Sequence, residues 1–103
     1  MTRILAVAPH PDDETLGCGG TLLRHRAQGD EIHWVIATRM DPAVFPAERI
    51  ARREAEIAAV AKAYGFAGVH PLGFAAATLD TIPQAKLIGA LADIVRSIKP
   101  GVV

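Results

Sequence analysis

The sequence predicts an α/β fold with a mostly parallel sheet, and three observations lead to that prediction. Short apolar runs recur along the chain, stretches of helical period separate them, and glycine or proline stands at the boundaries. A continuous apolar run suits a strand buried on both faces, and its alternation with helices favours parallel pairing through crossover connections. We therefore expect a Rossmann-like three-layer sandwich, with helices on both faces of the sheet.

The first half of the chain contains two predicted strands and one predicted helix. The first strand is Arg3–Ala8, RILAVA, which is apolar after its first residue. A helix is predicted over Leu16–Gln28. The apolar residues of this helix that could face the sheet are Leu16, Leu22, Leu23 and Ala27. The second strand is Ile32–Thr38, and the proline-containing stretch Arg39–Ala47 is predicted as a loop.

The second half continues the alternation. A helix is predicted over Glu48–Tyr64, and Gly65 is its expected C-cap. The apolar stripe of this helix comprises Ile50, Ile57, Val60, Ala61 and Tyr64. Val69–Leu72 is the candidate third strand.

The last predicted helix leads into an apolar dipeptide. Thr81 and Gln84 have the spacing of a capping box, and Pro83 stands in the first turn. Lys99–Gly101 ends the helix, and Val102–Val103 starts a stretch typical of a fourth strand. We therefore expect residues 1–103 to be the N-terminal part of a single domain, truncated at the start of its fourth strand.

Composition narrows the classes of function. The formal net charge is zero, with 11 basic and 11 acidic residues, so it provides no overall attraction to nucleic acid or to anionic membranes. The single cysteine, Cys18, excludes an internal disulfide and favours a reducing, cytoplasmic location. No segment is apolar for long enough to span a membrane, and the short N-terminal apolar run is predicted as a strand, not a signal peptide.

A cluster of polar residues follows the first predicted strand. One carboxylate there could cap the next helix, but three consecutive acids after His10 exceed that need. His10 and Asp13 are three residues apart across a tight turn, so their side chains can converge, and imidazole and carboxylate are good zinc ligands. Asp12 would lie beside such a metal without binding it, where a free carboxylate can act as a general base.

The segment AVAPHPDDETLGCGGTL closely resembles the opening motif of the PIG-L / LmbE-like family of zinc-dependent N-deacetylases. The resemblance implies that His10 and Asp13 are zinc ligands, that Asp12 is the catalytic base, and that Glu14 supports them. The sequence leaves open whether another divalent metal binds in place of Zn²⁺.

Further segments extend the resemblance over all 103 residues, as the first half of a family domain. RREAEIAAVAKAYG places Arg53 and Glu56 in the family's R-x-x-E positions, and the resemblance implies that Arg53 helps to hold the substrate. HPLGF resembles the family segment after the third strand, and LIGALADIVRSIKPGVV resembles its lead into the fourth.

The implied function is removal of an acetyl group from an N-acetylated sugar or sugar conjugate of the N-acetylglucosamine type. The family takes its third zinc ligand from a motif after the fourth strand, so we expect this chain alone to be weakly active or inactive. The sequence leaves open whether the protein forms a homo-oligomer. The alternatives are a metal-dependent phosphoesterase and a non-catalytic fragment or pseudo-enzyme.

The remaining histidines and the glycines receive structural interpretations. We expect His70 to be a partly exposed loop histidine and not a substitute ligand. His33 is predicted to pack under a helix, and His25 to lie on a helix surface. The three glycines that follow the motif are expected to let the helix pack tightly beside the metal site; they are Gly17, Gly19 and Gly20.

Overall fold

The computed structural model describes all 103 residues. The elements are β1 (Arg3–Ala8), α1 (Asp13–Ala27), β2 (Glu31–Arg39), α2 (Ala47–Tyr64), β3 (Gly68–Ala75) and α3 (Gln84–Ile98), with a short 3₁₀ turn at Leu79–Thr81. The three strands form one parallel sheet in the order β1-β2-β3. The predicted α/β fold with a parallel sheet is confirmed.

The two faces of the sheet are covered by different helices, because successive side chains of a strand point to opposite faces. On one face, β1 and β2 pack against α1 and α2; the residues involved include Ile4, Ala6, Leu22, Ile32, Trp34, Val60 and Tyr64. On the other face they pack against α3; the residues involved are Leu5, Val35, Leu72, Leu91, Ile94 and Ile98. The result is the predicted three-layer sandwich.

The chain after α3 returns to the free edge of β1. Leu5 donates its backbone N–H to the carbonyl oxygen of Val102 at 2.9 Å, and Ile4 forms a parallel bridge with Val102. β1 therefore has β2 on one side and the later chain segment on the other. In open parallel sheets, such a change in the direction of strand order creates a crevice beyond the carboxyl ends of the strands, where ligands bind.

Helix α1 differs from the prediction in its start and in its buried face. It begins at Asp13, so the acidic motif lies in its first turn, and Cys18 departs from helical geometry with φ −145°. Leu22 is buried as predicted, but Leu16 is 82% exposed, Leu23 is 53% exposed and Ala27 is exposed. The prediction for these three residues was wrong, because the part of α1 after the kink at Cys18 turns the side of Leu22 to the sheet, and Leu23 and Ala27 lie on another side of it.

Strand β3 and the start of α3 also differ from the prediction. β3 is longer than the predicted stretch and contains Pro71 and Gly73, with an irregularity in its register against β2 between Ile36 and Thr38. Proline is tolerated here because β3 is an edge strand. The predicted capping box is absent, because Pro83 occupies the N-cap and the hydroxyl of Thr81 donates to the carbonyl of Thr78.

No helix of the protein is both long enough and apolar enough to cross a membrane.

Candidate metal and substrate site

The loop between β1 and α1 brings His10 and Asp13 together. The backbone N–H of His10 donates to Asp13 Oδ2 at 3.0 Å, and the backbone N–H of Asp13 donates to the carbonyl of His10 at 3.3 Å. These two bonds close a tight turn at the carboxyl end of β1. The turn leaves His10 Nδ1 3.5 Å from Asp13 Oδ2.

This pair of donors fits two positions of a zinc site. With bond lengths of about 2.1 Å, two ligands of a tetrahedral zinc are separated by about 3.4 Å. The observed separation of 3.5 Å between Nδ1 and Oδ2 is close to that value. Both side chains are partly exposed, so a cation can reach them. No group of three or more His, Cys, Asp or Glu residues could hold a metal, so this chain offers two donors of the three that a catalytic zinc needs.

The carboxylate of Asp12 stays free of the helix that it precedes. Asp12 occupies the N-cap position of α1, but its side chain makes no capping hydrogen bond. Its φ of 126° lies in a region that non-glycine residues rarely adopt. Strain of this kind concentrates at functional sites. The capping explanation for Asp12 therefore fails, and its exposed carboxylate lies at the cavity beside His10 and Asp13.

Glu14 holds this strained backbone in place from the interior. Glu14 is the one buried charged residue, and its Oε2 accepts the backbone N–H of Asp12 at 3.1 Å. The hydroxyl of Thr15 donates to Glu14 Oε1 at 3.2 Å and lies 2.9 Å from Tyr64 Oη. Because the Thr15 proton is directed to Glu14, Tyr64 is the donor in that second bond. This chain of hydrogen bonds links the end of α2 to the Asp12 backbone.

Gly19 makes the approach of Tyr64 possible. A Cβ at Gly19 would lie 2.8 Å from Tyr64 Oη, whereas Gly17 and Gly20 have no atom within 4 Å of such a Cβ. The expectation that all three glycines serve tight packing was therefore wrong for Gly17 and Gly20. Of these three glycines, Gly19 alone is required by a close contact.

The variant Gly19→Ala is expected to lower the free energy of unfolding by about 1–3 kcal/mol relative to Gly20→Ala, because only the first methyl group meets Tyr64. Gly20→Ala is the matched control, and we expect it to stabilise the helix by up to about 1 kcal/mol. Urea denaturation followed by circular dichroism measures both. Equal effects of the two substitutions would contradict the contact between Gly19 and Tyr64.

Arg53 reaches the same loop from helix α2. Its Nη1 donates to the carbonyl of Pro11 at 3.4 Å, and its Nε lies 3.7 Å from Glu56 Oε2. The guanidinium therefore stands over the turn that carries Asp12. The structure brings Arg53 into the cavity with His10, Asp12 and Asp13, although they are separated by about forty residues of chain.

A cavity of about 880 Å³ opens between this loop, the carboxyl ends of β2 and β3, and α2. Its polar wall includes the four predicted site residues, and its apolar wall includes Met40, Phe45, Ile50 and Ile57. Thr38 also lines it, but its hydroxyl donates to the carbonyl of Pro9 at 2.7 Å and so fixes the loop. Sequence reasoning treated Met40 and Phe45 only as loop residues; their position just after a parallel strand was the available signal.

The other three histidines lie outside this cavity. His70 is partly exposed as expected, but it lies within β3, in agreement with the predicted strand Val69–Leu72 and not in a loop. Its Nε2 lies 3.1 Å from His33 Nδ1. The other ring nitrogen of His33, Nε2, lies 3.4 Å from Glu31 Oε2, on the face of the sheet that α3 covers. His25 Nδ1 pairs with Asp30 Oδ2 at 2.8 Å, and this hydrogen bond lowers the pKa of Asp30.

The fold and the site together define an α/β protein with a cavity at the carboxyl ends of a parallel sheet, where such folds bind ligands. The PIG-L family, described as GlcNAc-PI de-N-acetylase, matches residues 5–103 of this chain. The chain therefore belongs to the PIG-L family.

Relatives of known name support this assignment. The 1D-myo-inositol 2-acetamido-2-deoxy-alpha-D-glucopyranoside deacetylase of Mycolicibacterium smegmatis is 30% identical, over 98% of this chain and 44% of that protein. The solved structure of N,N'-diacetylchitobiose deacetylase from Pyrococcus horikoshii has a TM-score of 0.83 and 27% identity, over 98% of this chain and 39% of that one. A conserved protein from Thermus thermophilus has a TM-score of 0.78 and 36% identity, over 99% and 45%. The chain thus spans less than half the length of each of these proteins.

Proposed function

We propose that this chain supplies two metal ligands, a general base and a substrate-binding arginine to an N-deacetylase of N-acetylated sugars or sugar conjugates. One observation carries the proposal. The carboxylate of Asp12 makes no capping bond and stands at the cavity beside the converging His10 and Asp13, with Arg53 over the same turn. The named relatives that are deacetylases of acetamido sugars favour this substrate class.

In this proposal His10 Nδ1 and a carboxylate oxygen of Asp13 hold Zn²⁺, another divalent metal being the alternative. When bound there, the metal would supply Lewis-acid activation of a water molecule and of the acetamide carbonyl. The third ligand would come from the part of the family domain that these 103 residues do not match. Such a cofactor is consistent with the two donors present, an imidazole and a carboxylate.

Three residues of this chain would then have separate roles in the reaction. Asp12 accepts a proton from the attacking water, since its carboxylate has no competing hydrogen bond within the helix. Arg53 binds an oxygen of the sugar, because its guanidinium borders the cavity. Glu14 keeps the Asp12 backbone in place through the accepted N–H, and the products are acetate and a free amino sugar.

The substrate enters from the open side of the cavity, where polar and apolar walls face each other. A sugar presents hydroxyl groups to the polar wall and its less polar ring face to Met40 or Phe45.

We also propose a cytoplasmic location, on the ground that the single cysteine forms no disulfide. Assembly into a homo-oligomer is left as an outcome to be measured by light scattering.

We expect Zn²⁺ to shift the backbone amide NMR signals of residues 10 and 12–14, which have an N–H unlike Pro9 and Pro11, and we expect His10→Ala to remove the shifts at residues 12–14. The reason is that His10 provides one of only two donors at this edge of the sheet. The matched control is His25→Ala, which removes an imidazole engaged by Asp30 and should leave the shifts unchanged. Shifts at residues 12–14 that survive in His10→Ala would contradict the assigned ligands.

A further inference from the structure

A second group of titratable side chains lies away from the cavity, near the amino ends of the strands. Arg3 Nε lies 3.0 Å from Glu31 Oε2, and the same oxygen lies 3.4 Å from His33 Nε2. His33 Nδ1 lies in turn 3.1 Å from His70 Nε2. The four residues connect all three strands, and none of them lines the cavity at the carboxyl ends.

The hydrogen bonds fix how the two imidazoles present their nitrogens. A carboxylate can only accept hydrogen bonds, so neutral His33 carries its proton on Nε2, facing Glu31. The lone pair of His33 Nδ1 then points towards His70 Nε2. In many metal sites a carboxylate accepts the second ring N–H of a metal-bound histidine and so fixes the tautomer and the orientation of the ring. Glu31 has this position relative to His33.

The spacing of the two nitrogens suits chelation. Bond lengths of about 2.0–2.1 Å to one ion separate two imidazole ligands by about 3.3 Å in a tetrahedral site, and by less at a tetragonal one. The observed separation between His33 Nδ1 and His70 Nε2 is 3.1 Å. The rings are 5.3 Å apart between centroids and inclined by 32°, so the two nitrogens now face each other, and a modest rotation of the rings would direct both at one ion.

Gly68 leaves room beside both nitrogens. A Cβ at this position would lie 2.9 Å from His70 Nε2 and 3.0 Å from His33 Nδ1. Any other residue would therefore fill the space that a cation or its water ligands would occupy. Gly68 lies directly opposite His33 in the register of β2 and β3, so the strand pairing itself holds this space open.

We propose that His33 Nδ1 and His70 Nε2 form a second metal site, separate from the His10 and Asp13 pair, for a late first-row divalent cation. Water completes the coordination, and Glu31 orients His33. In the metal-bound form His70 carries its proton on Nδ1, so binding changes a tautomer and releases no proton. Cu²⁺ binds most tightly and Ni²⁺ and Zn²⁺ more weakly, as expected for nitrogen ligands. The bound ion links edge strand β3 to β2 and stabilises the sheet.

The test is a titration of the protein with Cu²⁺ alone, followed by electron paramagnetic resonance and by thermal unfolding. We expect nitrogen hyperfine splitting from two imidazoles and a rise in melting temperature. Glu31→Gln should weaken binding by about 10- to 100-fold, and His33→Gln or His70→Gln should weaken it further. All variants are checked for folding by circular dichroism.

The control separates this proposal from the proposed function. His10→Ala should leave the two-imidazole signal unchanged, because His10 lies at the opposite end of the strands. Loss of the signal in His10→Ala, or equal Cu²⁺ affinity in His33→Gln, His70→Gln and the unmodified chain, would overturn the second site. If either histidine variant does not fold, the amide signals that Cu²⁺ broadens in the unmodified chain decide: loss of signals centred on residues 31–35, 68–70 and 72 supports the site, and its absence overturns it.

Discussion

Replacement of Asp12 by asparagine is expected to lower deacetylation by about 10²–10⁴-fold, the usual contribution of a positioned general base. Asparagine has nearly the same shape but cannot accept the proton of the attacking water. The backbone bond from Asp12 to Glu14 Oε2 does not involve the replaced side chain, so the loop geometry should persist. The measurement is acetate release from an N-acetylglucosamine conjugate by the complete product of the gene that encodes these residues.

A comparison with Asp13→Asn makes this prediction specific. Asp13 is the proposed metal ligand, so this variant should lose both metal binding and activity, whereas Asp12→Asn should lose activity and keep metal affinity. Isothermal titration with Zn²⁺ separates the two outcomes. If Asp12→Asn retained activity within a few-fold of the unmodified protein, another group would be the base. If the unmodified protein bound Zn²⁺ but released no acetate from any acetamido sugar, the pseudo-enzyme interpretation would be favoured.

The parts of this protein that could be predicted from the sequence are those set by neighbours along the chain. The apolar run of β1 and the motif that follows it fix where the strand ends, and Gly65 ends α2 with a φ of 72°, as its residue type predicts. The strand and helix order followed from such local patterns. Parallel pairing then placed the His10 to Asp13 turn at the ligand-binding edge of the sheet.

Contacts between distant segments could not be predicted in the same way. The bond between Thr15 and Tyr64 spans 49 residues, and the bond between His33 and His70 spans 37. No periodicity in the sequence encodes either partner. The interpretation of His70 as a loop residue failed because β3 runs from Gly68 to Ala75, and this edge strand accommodates both Pro71 and Gly73.

The site also depends on helix α2 being held firmly on the sheet. Arg53 and Tyr64 both lie on this helix, Arg53 above the turn from His10 to Asp13 and Tyr64 at the end of the bonds that lead to Asp12. Ile57 and Val60 pack beneath them against the cluster around Trp34. The packing around Trp34 therefore helps to determine the positions from which Arg53 and Tyr64 contact the loop and the start of α1.

Trp34→Ala is expected to lower the free energy of unfolding by about 3–5 kcal/mol, the range for removal of a large aromatic side chain from a core. Trp34 is 1% exposed, and its ring centroid lies 5.3 Å from that of Phe66. A loss of this size is a large share of the about 5–15 kcal/mol that stabilises a typical domain. Urea denaturation followed by far-ultraviolet circular dichroism measures it, since the variant has no tryptophan fluorescence.

Trp34→Phe is the matched control, because it keeps an aromatic ring between β2 and α2. The Nε1 of Trp34 is buried and has no hydrogen-bond partner. An unpaired buried donor costs about 1–3 kcal/mol, so its removal offsets much of the apolar area that phenylalanine gives up. We therefore expect Trp34→Phe to cost less than about 1.5 kcal/mol. Equal losses in the two variants would mean that Nε1 is hydrogen-bonded, and a loss below about 1 kcal/mol in Trp34→Ala would mean that α2 is held by other contacts.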